Sequence, residues 1–204
     1  MSSRDAILAT IRKNQPTITP LPELSGDWIQ YPDCEKQFGE VLAGVGGQAH
    51  FVSDYNAAAA VIRSLPCYPD AKQIVCQVPG LTVGNADFNA YDFNGVDDPH
   101  QLDNVDLAIM PGYFAVAENG AVWVDDRGVK HRVIYFLTQH LVLVVPRKEI
   151  VNNLYEAYQR LSFPEPGYGL FISGPSKTAD IEQSLVIGAH GPRSQHVILV
   201  GEAP

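Results

Sequence analysis

The chain has 204 residues, of which 46% are apolar, and its 14 basic and 23 acidic side chains give a formal net charge of −9. A chain of this length buries one sizeable core, so we expect one main domain rather than two of full size. The acidic balance disfavours binding to nucleic-acid phosphates or anionic lipid, where clustered positive charge supplies the attraction.

The sequence predicts neither a membrane span nor an export signal. Its apolar runs are shorter than the ~20 residues that cross a bilayer, and charged residues interrupt the helical pattern over 1–14. The three cysteines, Cys34, Cys67 and Cys76, are too far apart for a CxxC motif and odd in number, which is typical of reduced thiols. We therefore expect a cytoplasmic location.

The N-terminal part predicts a helix followed by an arm. Ile7 and Ile11 have the spacing of one face of a short amphipathic helix. The proline-rich stretch 14–32 predicts an extended arm that lies over the surface or contacts another subunit. We therefore divide the chain into residues 1–35, which hold the helix and the arm, and a single α/β domain over residues 36–204.

From residue 36 the hydrophobic pattern alternates between helices and strands. Helices are predicted at 36–45, 56–65 and 147–161, and strands at 49–52, 73–78, 105–110, 121–124, 133–137, 141–145, 170–173 and 196–200. The first strand, helix and strand suggest a parallel crossover, and the four strands between 105 and 145 are expected to be neighbours. This alternation implies an α/β sandwich with a largely parallel central sheet.

The most polar segment lies between two apolar runs near the C-terminal end. Its sequence is Gly174-Pro175-Ser176-Lys177-Thr178-Ala179-Asp180-Ile181-Glu182. Because it follows a predicted strand, we expect it at the carboxyl edge of the sheet, where open α/β sheets bind ligands. If a helix begins near Ser176 or Thr178, backbone N–H groups and Lys177 face a carboxylate or phosphate, with the two acidic side chains orienting the lysine or accepting ligand hydroxyls. The simpler interpretation is a capped helix start with solvated charges.

A second polar turn follows at Gly188-Ala189-His190-Gly191-Pro192-Arg193. Arg193 suits bidentate contact with a carboxylate or phosphate. His190 is either an acid, base or donor near neutral pH or a structural hydrogen-bonding residue. The six histidines show no HxH or HxxxH spacing, so no metal site is predicted.

Together these two runs resemble the C-terminal block of the lactate utilization protein C family, also called the LUD domain or DUF162 family, in which GPS(K/R)TADIE precedes GxHGP. The resemblance implies a NagB/RpiA/CoA-transferase-like three-layer sandwich and a cytoplasmic component of L-lactate oxidation to pyruvate that acts with iron–sulfur partner proteins. The residues expected to bind a small carboxylate or phosphate-bearing ligand are Gly174, Pro175, Ser176, Lys177, Thr178, Asp180, Glu182, His190, Gly191, Arg193 and His140.

The segment Glu118-Asn119-Gly120 predicts a hairpin turn between two apolar strands. It is similar to the AETG segment of the same family and to the SENG segment of class I CoA-transferases, whose glutamate is the nucleophile that forms an acyl-CoA thioester. Glu118 is therefore the catalytic candidate, with a non-covalent ligand contact and a purely structural turn as alternatives.

Two further basic residues have open roles. His140 matches a histidine of the family, and it either approaches the same pocket or is a satisfied histidine at the start of a strand. Arg132 either enters the pocket or belongs to a solvated hairpin end.

The sequence predicts no redox cofactor bound by this chain. An iron–sulfur cluster needs grouped thiolates, and no GxGxxG run follows a strand, so neither NAD nor flavin is expected. Three functions stay open: an accessory subunit that binds a small carboxylate or an anionic cofactor, an acyl/CoA transferase-like enzyme that uses Glu118, and a small-ligand sensor. The predicted site requires both polar runs and Glu118 to meet at one rim of the sheet.

Overall fold

The structure is a computed structural model that describes residues 2–16, 19–20, 22–83, 91–161, 167–179 and 185–202. The helices are α1 (Ser3–Lys13), α2 (Cys34–Gly44), α3 (Tyr55–Ser64), α4 (Ile134–Leu137) and α5 (Leu154–Arg160), with 3₁₀ turns at Phe93–Gly95 and Pro99–Leu102. The strands are β1 (Gln48–Val52), β2 (Ile74–Cys76), β3 (Leu107–Pro111), β4 (Phe114–Val116), β5 (Ala121–Asp125), β6 (His140–Pro146), β7 (Ile150–Val151), β8 (Gly169–Ile172), β9 (Lys177–Ala179), β10 (Leu185–Ile187) and β11 (Ser194–Val200).

The central layer is a five-stranded sheet in the order β1-β11-β6-β3-β2. Every neighbouring pair in it is parallel. Strands β6 and β11 are buried almost throughout, which is typical of parallel strands covered on both faces. The predicted α/β sandwich with a largely parallel central sheet is confirmed.

A second sheet, in the order β7-β4-β5-β8, packs against one face of the central sheet. Its inner residues Ala115 and Val122 share a core with Leu143 and Val197 of the central sheet and with Leu42 of α2. Helix α3 covers the opposite face of the central sheet, and α5 packs on the outer face of the second sheet. Helix α2 therefore flanks the edge at which the two sheets face each other, which we call the rim.

The strand predicted at Val133–Leu137 is wrong, because these residues contain the short helix α4. Ile134 and Tyr135 of this turn are buried in the core between the sheets, and the Tyr135 hydroxyl donates to the Asp125 carbonyl at 3.1 Å. Tertiary packing thus overrides the β preference of the sequence, which mostly reflects a fit to a half-buried pleated surface.

The helix predicted over 147–161 begins later than expected. Ile150 and Val151 instead form β7, which pairs with β4 in the second sheet. Asn153 then begins α5, because its side chain accepts a hydrogen bond from the Glu156 N–H at 2.9 Å.

The predicted order of strands is correct only in part. Strands β3 and β6 are neighbours, but β5 lies in the second sheet. Strands β1 and β2 lie at opposite edges of the central sheet, so the chain between them crosses the sheet rather than joining adjacent strands.

Cys34, Cys67 and Cys76 are free thiols.

Within the described ranges, no helix has the length and apolar character needed to cross a bilayer.

Candidate functional site

The candidate site lies at the amino ends of the parallel strands. Pro192 and Arg193 lead directly into β11, and the Arg193 N–H donates to the Gln139 carbonyl at 2.8 Å, just before β6. The expectation of a carboxyl-edge site is wrong, because β8 belongs to the second sheet and Gly174 follows it there. The site is therefore formed where the rims of two sheets meet.

The two polar runs near the C-terminal end meet at Ser176. The Ser176 N–H donates to the Pro192 carbonyl at 2.9 Å, and the Ser176 carbonyl accepts from the Gly188 N–H at 2.9 Å. A side chain at position 191 would place its Cβ 2.9 Å from the Ser176 Cβ, which explains why glycine stands there. The predicted convergence of these segments is present in the main chain.

The helix expected to begin near Ser176 or Thr178 is wrong. Residues Lys177–Ala179 form β9, which pairs antiparallel with β10. The Ser176 N–H is already bonded to Pro192, so it is not one of several free donors at a helix start. Asp180 and Glu182 lie outside the described residues.

Basic side chains stand on either side of this junction. The Lys177 side chain passes the α2–β1 connection, where an ideal Cβ on Gly46 would lie 3.6 Å from the Lys177 Cε. Arg193 packs against Gly188, whose ideal Cβ would lie 2.4 Å from the Arg193 Cγ. Lys177, His190 and Arg193 are all exposed, so they are accessible to an anion from solvent.

The turn between β4 and β5 reaches the same rim. The Ser173 hydroxyl donates to the Asn119 carbonyl at 2.8 Å. Gly120 has a φ of +66°, and its ideal Cβ would lie 3.0 Å from the Leu42 N in α2. The predicted hairpin turn is therefore correct. It is hydrogen-bonded to the end of β8 and packs closely against α2.

The carboxylate of Glu118 points towards α5. Its Oε2 accepts from the Leu154 N–H at 2.8 Å, which satisfies a free donor in the first turn of the helix. The Glu118 N–H donates to the Asn152 carbonyl at 2.9 Å. The structure thus brings the main chain of this turn to the rim, whereas the hydrogen bond from the Leu154 N–H holds the side chain at α5.

His140 pairs with the strand beside it. Its Nδ1 lies 2.8 Å from the Ser194 Oγ, and burial together with the nearby Arg193 charge lowers the pKa of His140. This geometry matches the satisfied histidine at a strand start. The Arg132 guanidinium stacks 4.7 Å from the centre of the Tyr168 ring, beside the beginning of β8, whereas Gly174 follows the other end of that strand.

Sequence reasoning missed a histidine pair behind this rim, in which His196 is buried and His50 is half-buried. The His50 Nε2 lies 3.2 Å from the His196 Nδ1, and His196 is only 4% exposed. Burial, reinforced by His50 and His140, lowers the pKa of His196 to about 4. The available signal was a histidine inside an otherwise apolar strand.

An open cleft lies elsewhere on the surface of the described residues. It has a volume of about 480 Å³ and is lined by Trp123, Tyr158, Leu161, Gly169, Leu170 and Phe171. None of the predicted ligand residues lines it. Over the described ranges, no three His, Cys, Asp or Glu side chains are grouped to hold a metal ion.

The fold and the rim define the class of protein: an α/β sandwich whose rim is rich in glycine and serine and carries exposed cations. The family follows from sequence comparison. A sequence model of the LUD domain matches residues 96–200, about half of the chain. The chain belongs to the LUD domain family. The resemblance based on the two polar runs is thereby confirmed.

Curated relatives match a similar part of the chain. Lactate utilization protein C 1 of Bacillus mycoides is 36% identical over 101 residues, which cover 46% of this chain and 43% of the relative. Lactate utilization protein C of Geobacillus kaustophilus is 34% identical over 103 residues, which cover 48% of this chain and 42% of the relative. The matched region therefore spans less than half the length of either relative.

The fold is also found in a solved structure. The crystal structure of a DUF162 family protein from Deinococcus radiodurans superposes with a TM-score of 0.65, covering 82% of this chain and 96% of that chain at 21% sequence identity. At this level of identity the comparison shows a shared fold.

Proposed function

We propose that this chain is a component of a lactate utilization system and binds a small carboxylate at the rim around Ser176. The names of the curated relatives support the system, and the residues of the rim support the ligand. The observation that carries the proposal is the junction of the two polar runs at Ser176, because it lies within the matched region and has cationic side chains on both sides.

The chemistry of the rim suits an anion. Arg193 offers a planar fork of donors that matches a carboxylate, and Lys177 adds a second positive charge. The Ser176 hydroxyl supplies a neutral donor or acceptor between them. These cations stand out on a chain with a formal net charge of −9, so a small anion would be attracted to this rim in particular.

Electron transfer is assigned to partner proteins in this proposal. Three widely spaced free cysteines do not provide the grouped thiolates that a cluster needs. We propose that iron–sulfur proteins act beside this chain in the cytoplasm and accept the electrons released when lactate becomes pyruvate.

A growth experiment tests the proposed system. A strain lacking this gene is expected to fail on L-lactate as sole carbon source and to grow normally on pyruvate. The wild-type gene should restore growth on lactate, and a Ser176→Ala/Arg193→Ala double variant should not. Equal growth of the deletion strain on both carbon sources would contradict the proposal.

A binding experiment tests the proposed ligand separately. Added L-lactate or pyruvate should raise the melting temperature of the purified protein, since a ligand that binds only the folded state stabilises it. Affinity purification of the tagged chain from lactate-grown cells should recover iron–sulfur proteins. Absence of both effects would contradict the accessory role.

The transferase alternative stays a prediction. It requires the Glu118 carboxylate to leave the Leu154 N–H and attack the carbonyl of an acyl-CoA, which gives a mixed anhydride and releases CoA as the thiolate. The thiolate then attacks the Glu118 carbonyl, which forms the Glu118–CoA thioester and releases the acyl group as a free carboxylate. A small-ligand sensor also stays a prediction, and it differs from the proposed component in leaving growth on lactate intact.

A further inference from the structure

Gln195 is a buried amide without a hydrogen-bond partner. Its side chain is 1% exposed, and among the described residues neither its Nε2 nor its Oε1 has a partner. Buried polar atoms are nearly always paired, because an unpaired donor or acceptor loses its hydration without compensation. A buried amide whose donor and acceptor are both unpaired therefore indicates that a bound ligand supplies the two partners.

The position of Gln195 relates it to the rim. Successive side chains on a strand alternate between faces, so Gln195 shares a face of β11 with Val197 and Leu199, which pack in the core between the two sheets. It is the first residue of β11 on that face, two positions after Arg193. The Cα atoms of two residues with this spacing on a strand are about 6–7 Å apart.

The neighbours of Gln195 connect it to the polar runs. Leu141 of β6 is its partner in the parallel register. On the other side, an ideal Cβ on Gly47 would lie 3.5 Å from the Gln195 carbonyl. The preceding Gly46 lies against Pro175 and Lys177, so the backbone of Gln195 runs beside the connection that the first polar run contacts.

We propose that Gln195 is the specificity-determining residue of the site and selects a small 2-hydroxycarboxylate; this inference rests on the proposed function. The ligand hydroxyl donates to the Gln195 Oε1, and the ligand carboxylate accepts from the Nε2. Arg193 holds the outer oxygen of the carboxylate. A hydroxyl and a carboxylate on adjacent carbons present the donor and acceptor side by side that one amide needs.

The same chemistry predicts which ligands are rejected. A 2-oxo acid offers only acceptors and leaves the Oε1 unpaired, and a simple carboxylate lacks the hydroxyl altogether. A site whose buried polar atom is left unpaired discriminates strongly against such ligands. Product release after oxidation to the 2-oxo acid would be favoured for the same reason.

The test compares L-lactate, pyruvate and propionate by calorimetric titration of the full chain. The wild type should bind L-lactate at least ~10-fold more tightly than the other two acids. Gln195→Met, which keeps the length of the side chain, should bind all three with similar affinity. Gln195→Leu is a second apolar variant, and Gln48→Leu, at an exposed position of β1, is the control that should keep the wild-type preference.

The ligand-free melting temperature separates a ligand role from a structural role. Removal of two unpaired polar atoms should leave the melting temperature of Gln195→Met equal to or above that of the wild type. A clear loss of stability in both apolar variants, or an unchanged preference for L-lactate, would overturn the inference. Equal wild-type binding of all three acids would overturn it and leave the proposed function intact, whereas absence of any binding would overturn the proposed carboxylate site as well.

Discussion

At the residue scale, the histidine pair behind the rim links stability to pH. One ring of the His50–His196 pair donates and the other accepts across 3.2 Å, so the accepting nitrogen must be unprotonated and the two rings cannot both be charged. Burial lowers the pKa of His50 and lowers that of His196 to about 4, from an ordinary value of 6.5. Protonation of either ring therefore opposes the folded state.

The free energy of unfolding should fall as pH drops from 6.5 towards 4. In this window the unfolded chain binds a proton at His196 that the folded chain excludes, so folding is disfavoured progressively. His196 alone should contribute a loss of about 2 kcal/mol between about pH 7.5 and pH 5. Urea unfolding at a series of pH values measures this slope.

A variant identifies the group responsible. His196→Gln should show a smaller pH slope than the wild type, and His100→Gln, at a side chain that is 89% exposed, should keep the wild-type slope. The same slope in wild type and His196→Gln would contradict the assignment.

Glu118 offers a second test at this scale, because its capping role needs only an acceptor oxygen, whereas its nucleophilic role needs a carboxylate. Glu118→Gln keeps an acceptor oxygen for the Leu154 N–H, so its stability should lie within about 0.5 kcal/mol of the wild type. Glu118→Ala should lose about 0.5–1 kcal/mol. Urea unfolding checks both values.

Mass spectrometry after incubation with acyl-CoA completes that test. The accessory role predicts an unmodified Glu118 peptide in the wild type. A CoA thioester on this peptide that is absent in Glu118→Gln would support the transferase alternative instead.

At the element scale, the hydrophobic pattern predicted those helices and strands that depend on residues close together in the chain. The helices near Phe38 and Ala58 and the strands near Val142 and Ile198 follow from apolar spacing, stop signals and β-branched runs. Pairing between strands depends on contacts distant in sequence. For this reason the sequence did not separate β5 and β8 from the parallel sheet, and it placed the rim at the wrong edge.

The site shows the same division between local and distant determinants. Glycine, serine and basic residues in two short runs marked the segments that meet at Ser176. Gln195 and His196 have no motif, since one polar residue in a strand gains meaning only from what surrounds it. The direction of the Glu118 carboxylate depends on the first turn of α5, whose position the sequence did not predict.

The junction of the β4–β5 turn with α2 gives a prediction at this scale. Gly120→Ala should destabilise the protein by about 1–3 kcal/mol, because it combines a left-handed φ with a Cβ placed against the α2 backbone. Gly44→Ala is the matched control in α2, where a Cβ meets nothing within 4 Å, and it should be neutral or stabilising. Similar losses in both variants would contradict the close packing described for this turn.

At the scale of the whole molecule, the arm attaches to the domain from Trp28 onwards. Trp28 stacks on Tyr155 of α5 with ring centroids 5.2 Å apart. The Tyr31 N–H donates to the Asn152 Oδ1 at 2.8 Å, whereas α1 buries none of its residues. The second half of the arm therefore packs on α5 and on the residues just before it.

Two deletions test this attachment. Removal of residues 2–14 should change the melting temperature by no more than about 1 °C, because α1 contributes no buried residue. Removal of residues 2–33 should lower it by about 3–6 °C through loss of the aromatic stack and the α5 contacts. Equal melting temperatures for the two truncated chains would contradict a structural role for the second half of the arm.

The proposed role in lactate utilization depends on binding of a small carboxylate at the rim around Ser176. Titration of the ¹⁵N-labelled protein with L-lactate, followed by two-dimensional NMR, tests it most directly because each residue reports separately. A ligand at this rim should give saturable shifts confined to the amides of Ser176, Gly191 and Arg193 and to the side-chain amide of Gln195. Saturable shifts confined to the cleft beside Trp123, or no shifts at millimolar lactate, would contradict it.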